Sequence, residues 1–274
     1  MNRLSLARRT QIIGALVEGN SIRSTERMTD THRDTIMRLM VEVGNGCERL
    51  MDEEMRDLAC KRIQVDEIWA YVAKKQARLT AEDDRLRAGD QWTFVAIDAD
   101  TKLVPTFRVG KRTKETAVAF ITDLSERLAN RIQITSDALE AYVDAVEQAF
   151  GADVDYGQAV KFYEAEPIGP GRYSPPAVVR ADRNVIAGAP DRRHISTSFI
   201  ERQNLTMRMS MRRFTRLTNA FSKKVENHRA AVALHFAHYN FVRLHKTLRT
   251  TPAMAANVTP RLWSLEELVE RTSN

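Results

Sequence analysis

Cysteine is scarce in this chain: Cys47 and Cys60 are the only two among 274 residues. Two thiols are too few for a disulfide framework or a four-thiolate zinc site. Long apolar runs are missing too, and no stretch reaches the roughly 18 residues a membrane span requires. The amino terminus, Met1 to Arg9, lacks the apolar core of a secretion signal. A reducing, cytoplasmic setting without a membrane partner is the expectation. No glycine-rich phosphate loop of the nucleotide-hydrolase kind is present, so ATP is not implied. Acids are missing from one region in particular. Residues 201–250 hold 11 Lys/Arg against Glu201 and Glu226 alone, whereas residues 1–60 hold 9 Lys/Arg against 10 Asp/Glu. The net charge of +6 is therefore concentrated in one segment. Such a field is the footprint of a phosphate-backbone ligand.

Three acids stand out against that background. Asp66 closes the alternating run Arg62-Ile63-Gln64-Val65-Asp66, and Asp137 ends a second, Ile132-Gln133-Ile134-Thr135-Ser136-Asp137. Glu201 lies just inside a helix opened by Ser196, Thr197 and Ser198. Two strands and a helix would each contribute one oxygen ligand. Phosphodiester chemistry needs charge stabilised on attacking and leaving oxygens together, and two Mg²⁺ ions roughly 3.5–4 Å apart can do this. Mg²⁺, with Mn²⁺ as a substitute, takes oxygen ligands and few protein carboxylates. Three converging carboxylates without a cation would repel one another. Arg208, seven residues beyond Glu201 and two turns along the same face, is placed to grip a phosphate.

The hydrophobic pattern divides the chain. Ile12, Ile13, Leu16 and Val17 mark a first helix stopped at Gly19-Asn20, and a short second helix runs from Ser21 to about Met28. Thr31 reads as the N-cap of a third helix, with Asp34 three residues on. Residues 1–45 thus form an all-α helix-turn-helix unit, whose last helix carries Arg33, Thr35 and Arg38 for the DNA major groove. Residues 46–61 read as a helical linker. Residues 62–256 read as an α/β unit: three strands, helix, strand, helix, the order of a ribonuclease-H-like mixed five-stranded sheet with flanking helices. Its hairpin turns at Ala99–Lys102, so the nearby Asp98 is assigned a structural role. Lys74–Asp90 reads as a mobile loop. Residues 165–190 carry Pro167, Pro170, Pro175, Pro176 and Pro190 with Gly169, Gly171 and Gly188, and read as a connector that shapes the site. Thr251-Pro252 opens a short helix, and residues 257–274 read as a tail helix. His228, His235 and His238 are read as packing residues, not as metal ligands.

The segments His194–Asn204, Leu205–His228 and His238–Ala256 resemble the catalytic region of insertion sequence 1 family transposases, within the DDE transposase and integrase superfamily. The likeness is strongest over Ser196–Asn204 and Thr206–Asn227 and spans roughly Arg62 to Ala256. It implies an acid triad of Asp66, Asp137 and Glu201 with Arg208 as basic partner. One departure is plain: members of that family often carry a cysteine-rich zinc motif before the helix-turn-helix, and this chain has none.

The function expected is DNA transposition. The enzyme would cleave element ends and join the freed 3′-hydroxyl to target DNA by two-metal phosphoryl transfer. Arg202, Arg212 and Arg213 are expected on the DNA, beside Arg33, Thr35 and Arg38. The partners expected are double-stranded DNA (terminal inverted repeats and target) and further copies of the chain, assembled on DNA in a bacterial or archaeal nucleoid. Two alternatives remain: a catalytically inactive, sequence-specific DNA-binding regulator derived from a transposase, and a plain ribonuclease-H-type nuclease.

Overall fold

The computed structural model describes residues 3–163, 178–215 and 219–273. Three helices open it: α1 (Leu6–Val17), α2 (Ile22–Thr29) and α3 (Arg33–Glu54). Ser5 and Ser21 cap the first two, accepting the backbone N–H of Arg8 at 3.3 Å and of Ser24 at 3.0 Å. Gly19 ends the turn after α1 at φ +82°, a conformation that costs glycine little. The cap of α3 is His32, not Thr31. The Thr31 hydroxyl is already spent, donating to the Thr29 carbonyl at 3.0 Å, and His32 Nδ1 accepts the Asp34 N–H instead.

Helix α3 runs unbroken through residue 45, so residues 46–54 of the stretch read as a helical linker are its second half, and residues 55–61 lead on to the sheet. Cys47, Leu50 and Met51 are buried there, as Val43 is just before, and α3 packs against α7 (Val225–Ala237) and α9 (Leu265–Thr272). Two glycines permit the approach. A Cβ on Gly44 would stand 2.2 Å from the Ala230 carbonyl oxygen of α7, and one on Gly46 would stand 2.0 Å from that of Thr272 in α9. The tail helix is therefore docked, touching α1 as well as α3.

The sheet holds six strands among the described residues, where five were expected. They are β1 (Arg62–Val72), β2 (Gly89–Asp98), β3 (Phe107–Gly110), β4 (Ile132–Ser136), β5 (Val154–Tyr163) and β6 (Val178–Ala187), in the order β3-β2-β1-β4-β5-β6. The pairs β1–β4 and β4–β5 are parallel and the others antiparallel. Parallel neighbours need crossovers, supplied by α4 (Lys114–Ser125) and α5 (Glu140–Phe150). Strand β6 falls in the stretch read as a connector. Its residues are exposed along almost their whole length, so no apolar alternation betrays it. Pro167, Pro170, Pro175, Pro176, Gly169 and Gly171 lie outside the described residues, as does Arg216.

Helices α4 and α5 cover one face of β1 and β2, where Phe94 packs on Phe120 and Tyr142 with ring centroids 5.8 and 6.1 Å apart. The β2–β3 turn is tied by Asp98, whose Oδ2 accepts from the Thr101 N–H at 2.9 Å and its hydroxyl at 2.6 Å. Strand β3 starts later than the pattern suggests. Val104 instead gives its N–H to the Asn240 side chain at 3.0 Å and accepts back at 2.9 Å. The loop after β1 contains a 3₁₀ turn at Gln76–Arg78 and is tied by Asp83, which accepts from Lys74 and Thr80. Thr251 caps the short helix α8 (Pro252–Ala255), which follows a buried π-type turn at His238–Val242. No helix among the described residues is long and apolar enough to cross a membrane.

Candidate functional site

Parallel pairing of β1 with β4 sets Gln64 opposite Thr135. Two residues further, just past the end of this pairing, come Asp66, still within β1, and Asp137, directly after β4. Strand alternation sends Gln64 and Asp66 to one face and Glu67 to the other. The carboxylates still converge in the middle of the sheet, where the β1–β4 pairing ends: Asp66, Glu67 and Asp137 each offer an oxygen within 4.8 Å of the others. Asp137 also accepts the Leu139 N–H at 3.0 Å, at the opening of α5, which fixes its loop.

Helix α6 (Ser198–Ser210) lies across the Gln64–Asp66 face. Its N-cap residue, Thr197, makes no capping bond with its side chain. The buried Gln64 does that work from β1, its Oε1 accepting the N–H groups of Phe199 at 2.9 Å and Ile200 at 3.1 Å. Orphan donors at a helix start are thereby satisfied from the neighbouring strand. Asn204, one turn along, donates to Asp66 Oδ2 at 2.8 Å. The strand thus grips α6 at two levels, with Glu201 between them.

Glu201 is held differently. It is exposed, forms an ion pair with Lys161 of β5, and accepts the Thr197 hydroxyl at 2.6 Å. Its charge is nonetheless felt at Asp66. Burial, and then the charges of Glu67, Asp137 and Glu201, push the Asp66 carboxyl up to about 7, against the opposing Glu67 backbone hydrogen bond. Burial also raises Glu67, helped by Asp137 and opposed by Arg112 and Tyr142. On that face Arg112 Nε donates to Glu67 at 2.7 Å and the Tyr142 hydroxyl donates at 3.0 Å. Clustered, partly desolvated carboxylates with only oxygen donors suit a hard divalent cation.

The expected cations are dispersed. Arg208 is half-buried, seven residues beyond Glu201 on α6, and its carbonyl accepts the Thr215 hydroxyl at 3.3 Å. Arg202 and Arg212 are exposed. Arg213 turns inward, donating to Ser222 at 2.5 Å and contacting Met40 Sδ at 3.0 Å. Arg33 and Arg38 are exposed on the first turns of α3, and Arg38 donates to the half-buried Thr35 at 3.4 Å. His228, His235 and His238 are buried, which pushes their pKa values down to about 3, 3 and 4. Such imidazoles stay neutral and packed.

Sequence reasoning missed Gln64, Glu67, Lys161 and Asn204. Gln64 had a signal: a polar residue two before Asp66, on the same strand face. Asn204 had one too, being a helical turn from Glu201. Glu67 had none, because alternation assigns it to the opposite face, and Lys161 lies on a strand the pattern did not resolve.

No family model matches the chain, and no curated protein matches it. Some solved structures overlap part of it. The Mos1 strand transfer complex aligns at 14% identity over 57% of this chain and 58% of that one, with a TM-score of 0.25. A Mos1 transposase paired-end complex with the left transposon end aligns at 14% over 54% and 57%, TM-score 0.22. The Mos1 mariner paired end complex with Mn aligns at 13% over 56% and 59%, TM-score 0.21. The chain spans less than two thirds of the length of these neighbours. They are mariner transposase complexes, and they lend no support to the insertion sequence 1 family. With overlap this partial, function has to be argued from the carboxylates themselves.

Proposed function

We propose that the chain is a DNA transposase of the DDE kind, built on a ribonuclease-H-like core, that cleaves element ends and transfers their 3′-hydroxyls into target DNA. The observation that carries this reading is the convergence of Asp66, Glu67 and Asp137 within 4.8 Å at the central strands β1 and β4, beside a helix bearing Glu201. Asp66 and Asp137 would hold divalent cations, with Glu201 as the third acid. Glu67 is already committed to Arg112 and Tyr142, so it braces the pair from behind. Bound Mg²⁺ or Mn²⁺ would acidify the attacking hydroxyl and stabilise the leaving oxygen. The protein's own part is positional. Gln64 and Asn204 fix α6, and Arg202 and Arg208 offer cationic donors for phosphate along it. In each step a new O–P bond would form as the existing one breaks, the proton of the attacking water or hydroxyl passing to solvent and the leaving oxygen taking one up from solvent. Residues 1–45 would read end sequences through Arg33, Thr35 and Arg38, with two ends joined by more than one copy of the chain.

The test is strand cleavage of element-end DNA with Mg²⁺ or Mn²⁺. Activity in the wild-type chain and its loss in Asp66→Asn is expected; full activity in that variant refutes the assignment. The contacts of Glu201 with Lys161 and Thr197 favour a second reading, a DNA-binding regulator that no longer cuts. Specific binding to terminal repeats with no cleavage under either ion would establish it.

A further inference from the structure

A second site lies at the far end of α6. Ser210 is nine residues beyond Glu201, roughly 14 Å along the helix axis. There a cleft of about 600 Å³ opens between the first three helices, the end of α6 and α7. Its walls are apolar, including Leu16, Met37, Phe221 and Leu234. The described lining holds three arginines, Arg23, Arg212 and Arg213, and no aspartate or glutamate. Arg213 is the unusual one. No carboxylate among the described residues pairs with it; its partners are the Ser222 hydroxyl and a methionine sulfur. Its pKa is pushed down to about 10 by burial alone. One polar group of the lining is unsatisfied: His235 is buried, and its Nε2 has no hydrogen-bond partner among the described residues. A half-buried guanidinium without a paired carboxylate and an unmatched imidazole nitrogen in one apolar cleft form an incomplete polar set. Each costs free energy until a ligand completes it.

From this we infer that the cleft is a binding site for a small organic anion: a ring-sized apolar body carrying one carboxylate, sulfonate or phosphate ester. The anion would pair with Arg213, a hydrogen-bonding group would meet His235, and the body would fill the space between Leu16, Met37 and Leu234. The volume falls in the range of small-molecule sites, which are mostly apolar with a few placed polar groups. The placement of Arg213 separates this site from a DNA surface, where phosphate-binding cations stand exposed, as Arg212 does. An occupant would touch α1, α2, α3 and the end of α6 at once, fastening the amino-terminal helices to the helix that carries Glu201. The inference does not depend on the proposed transposase activity.

The experiment titrates 1-anilinonaphthalene-8-sulfonate into the full-length folded chain and follows its fluorescence. One saturable site is expected, displaced by 1-naphthoate and not by inorganic phosphate or a short DNA duplex. Arg213→Met should weaken the sulfonate by about tenfold or more while leaving the uncharged N-phenyl-1-naphthylamine bound. Met37→Trp, which fills the cleft from a half-exposed wall, should abolish both without lowering the melting temperature. Displacement by the DNA duplex would make the cleft part of the nucleic-acid interface and overturn the inference. Unchanged sulfonate binding in both variants, or no saturable site, would overturn it equally.

Discussion

The acids carried by strands and the acid carried by a helix are held in opposite ways. Asp66 lies within β1, paired with Val95 of β2, and Asp137 directly follows β4, both just beyond the β1–β4 pairing; the Asp66 carboxyl is pushed up to about 7 by burial and neighbouring charge. Glu201 projects from α6 into solvent and is engaged by Lys161 and Thr197. The strand pair is preorganised and electrostatically frustrated; the helix acid is compensated and adjustable. A cation would relieve the first directly, whereas Glu201 must exchange a lysine for it. Asp66 and Asp137 should therefore matter most.

The largest predicted effect is on DNA strand cleavage. Asp137→Asn should lower the rate by about a thousandfold or more, and Glu201→Gln by roughly tenfold to a hundredfold less than that. Comparable losses in both variants would erase the proposed distinction.

The sequence made part of this contrast visible. Asp66 and Asp137 each close an alternating run, and alternation marks a strand because one face must be buried; β4 does end at Ser136, whereas β1 continues past Asp66 to Val72. Glu201 followed from hydroxyl-bearing residues before a helical run. Less visible was what secures the helix, since Gln64 caps α6 across 135 and 136 residues of chain and only folding brings them together. Strand β6 was hidden for a different reason: exposed on both faces, it has no apolar rhythm. That residues 46–54 continue α3 was not legible, because Gly44 and Gly46, which weaken helix propensity, serve here as contact points for α7 and α9. Burial outweighs propensity at such positions.

A second effect follows from Asp66 itself. Its folded pKa is raised above the ordinary 3.8, so stability is fully present below the unfolded value and is lost as pH rises through the folded value near 7. Asp66→Asn should then stabilise the metal-free protein by ~2 kcal/mol at pH 8. The gain should shrink toward zero as pH approaches 4, measured by denaturant unfolding at several pH values. A gain independent of pH would mean that charge at Asp66 is not the cause.

Gln64→Ala should have the smallest effect, about 1 kcal/mol, because it removes a helix cap without removing charge. Denaturant midpoints should fall, while hydrogen exchange should accelerate at the start of α6 more than in α5. Equal acceleration in both helices would show a general loosening, not the loss of a cap.

The central claim is that Asp66 and Asp137 together hold a divalent cation. Anomalous diffraction from crystals soaked in manganese chloride tests it most directly. A peak between these two carboxylates in the wild-type chain, absent in Asp137→Asn and present in Glu67→Gln, is the predicted result. A peak bound only elsewhere, or one that survives in Asp137→Asn, would contradict it.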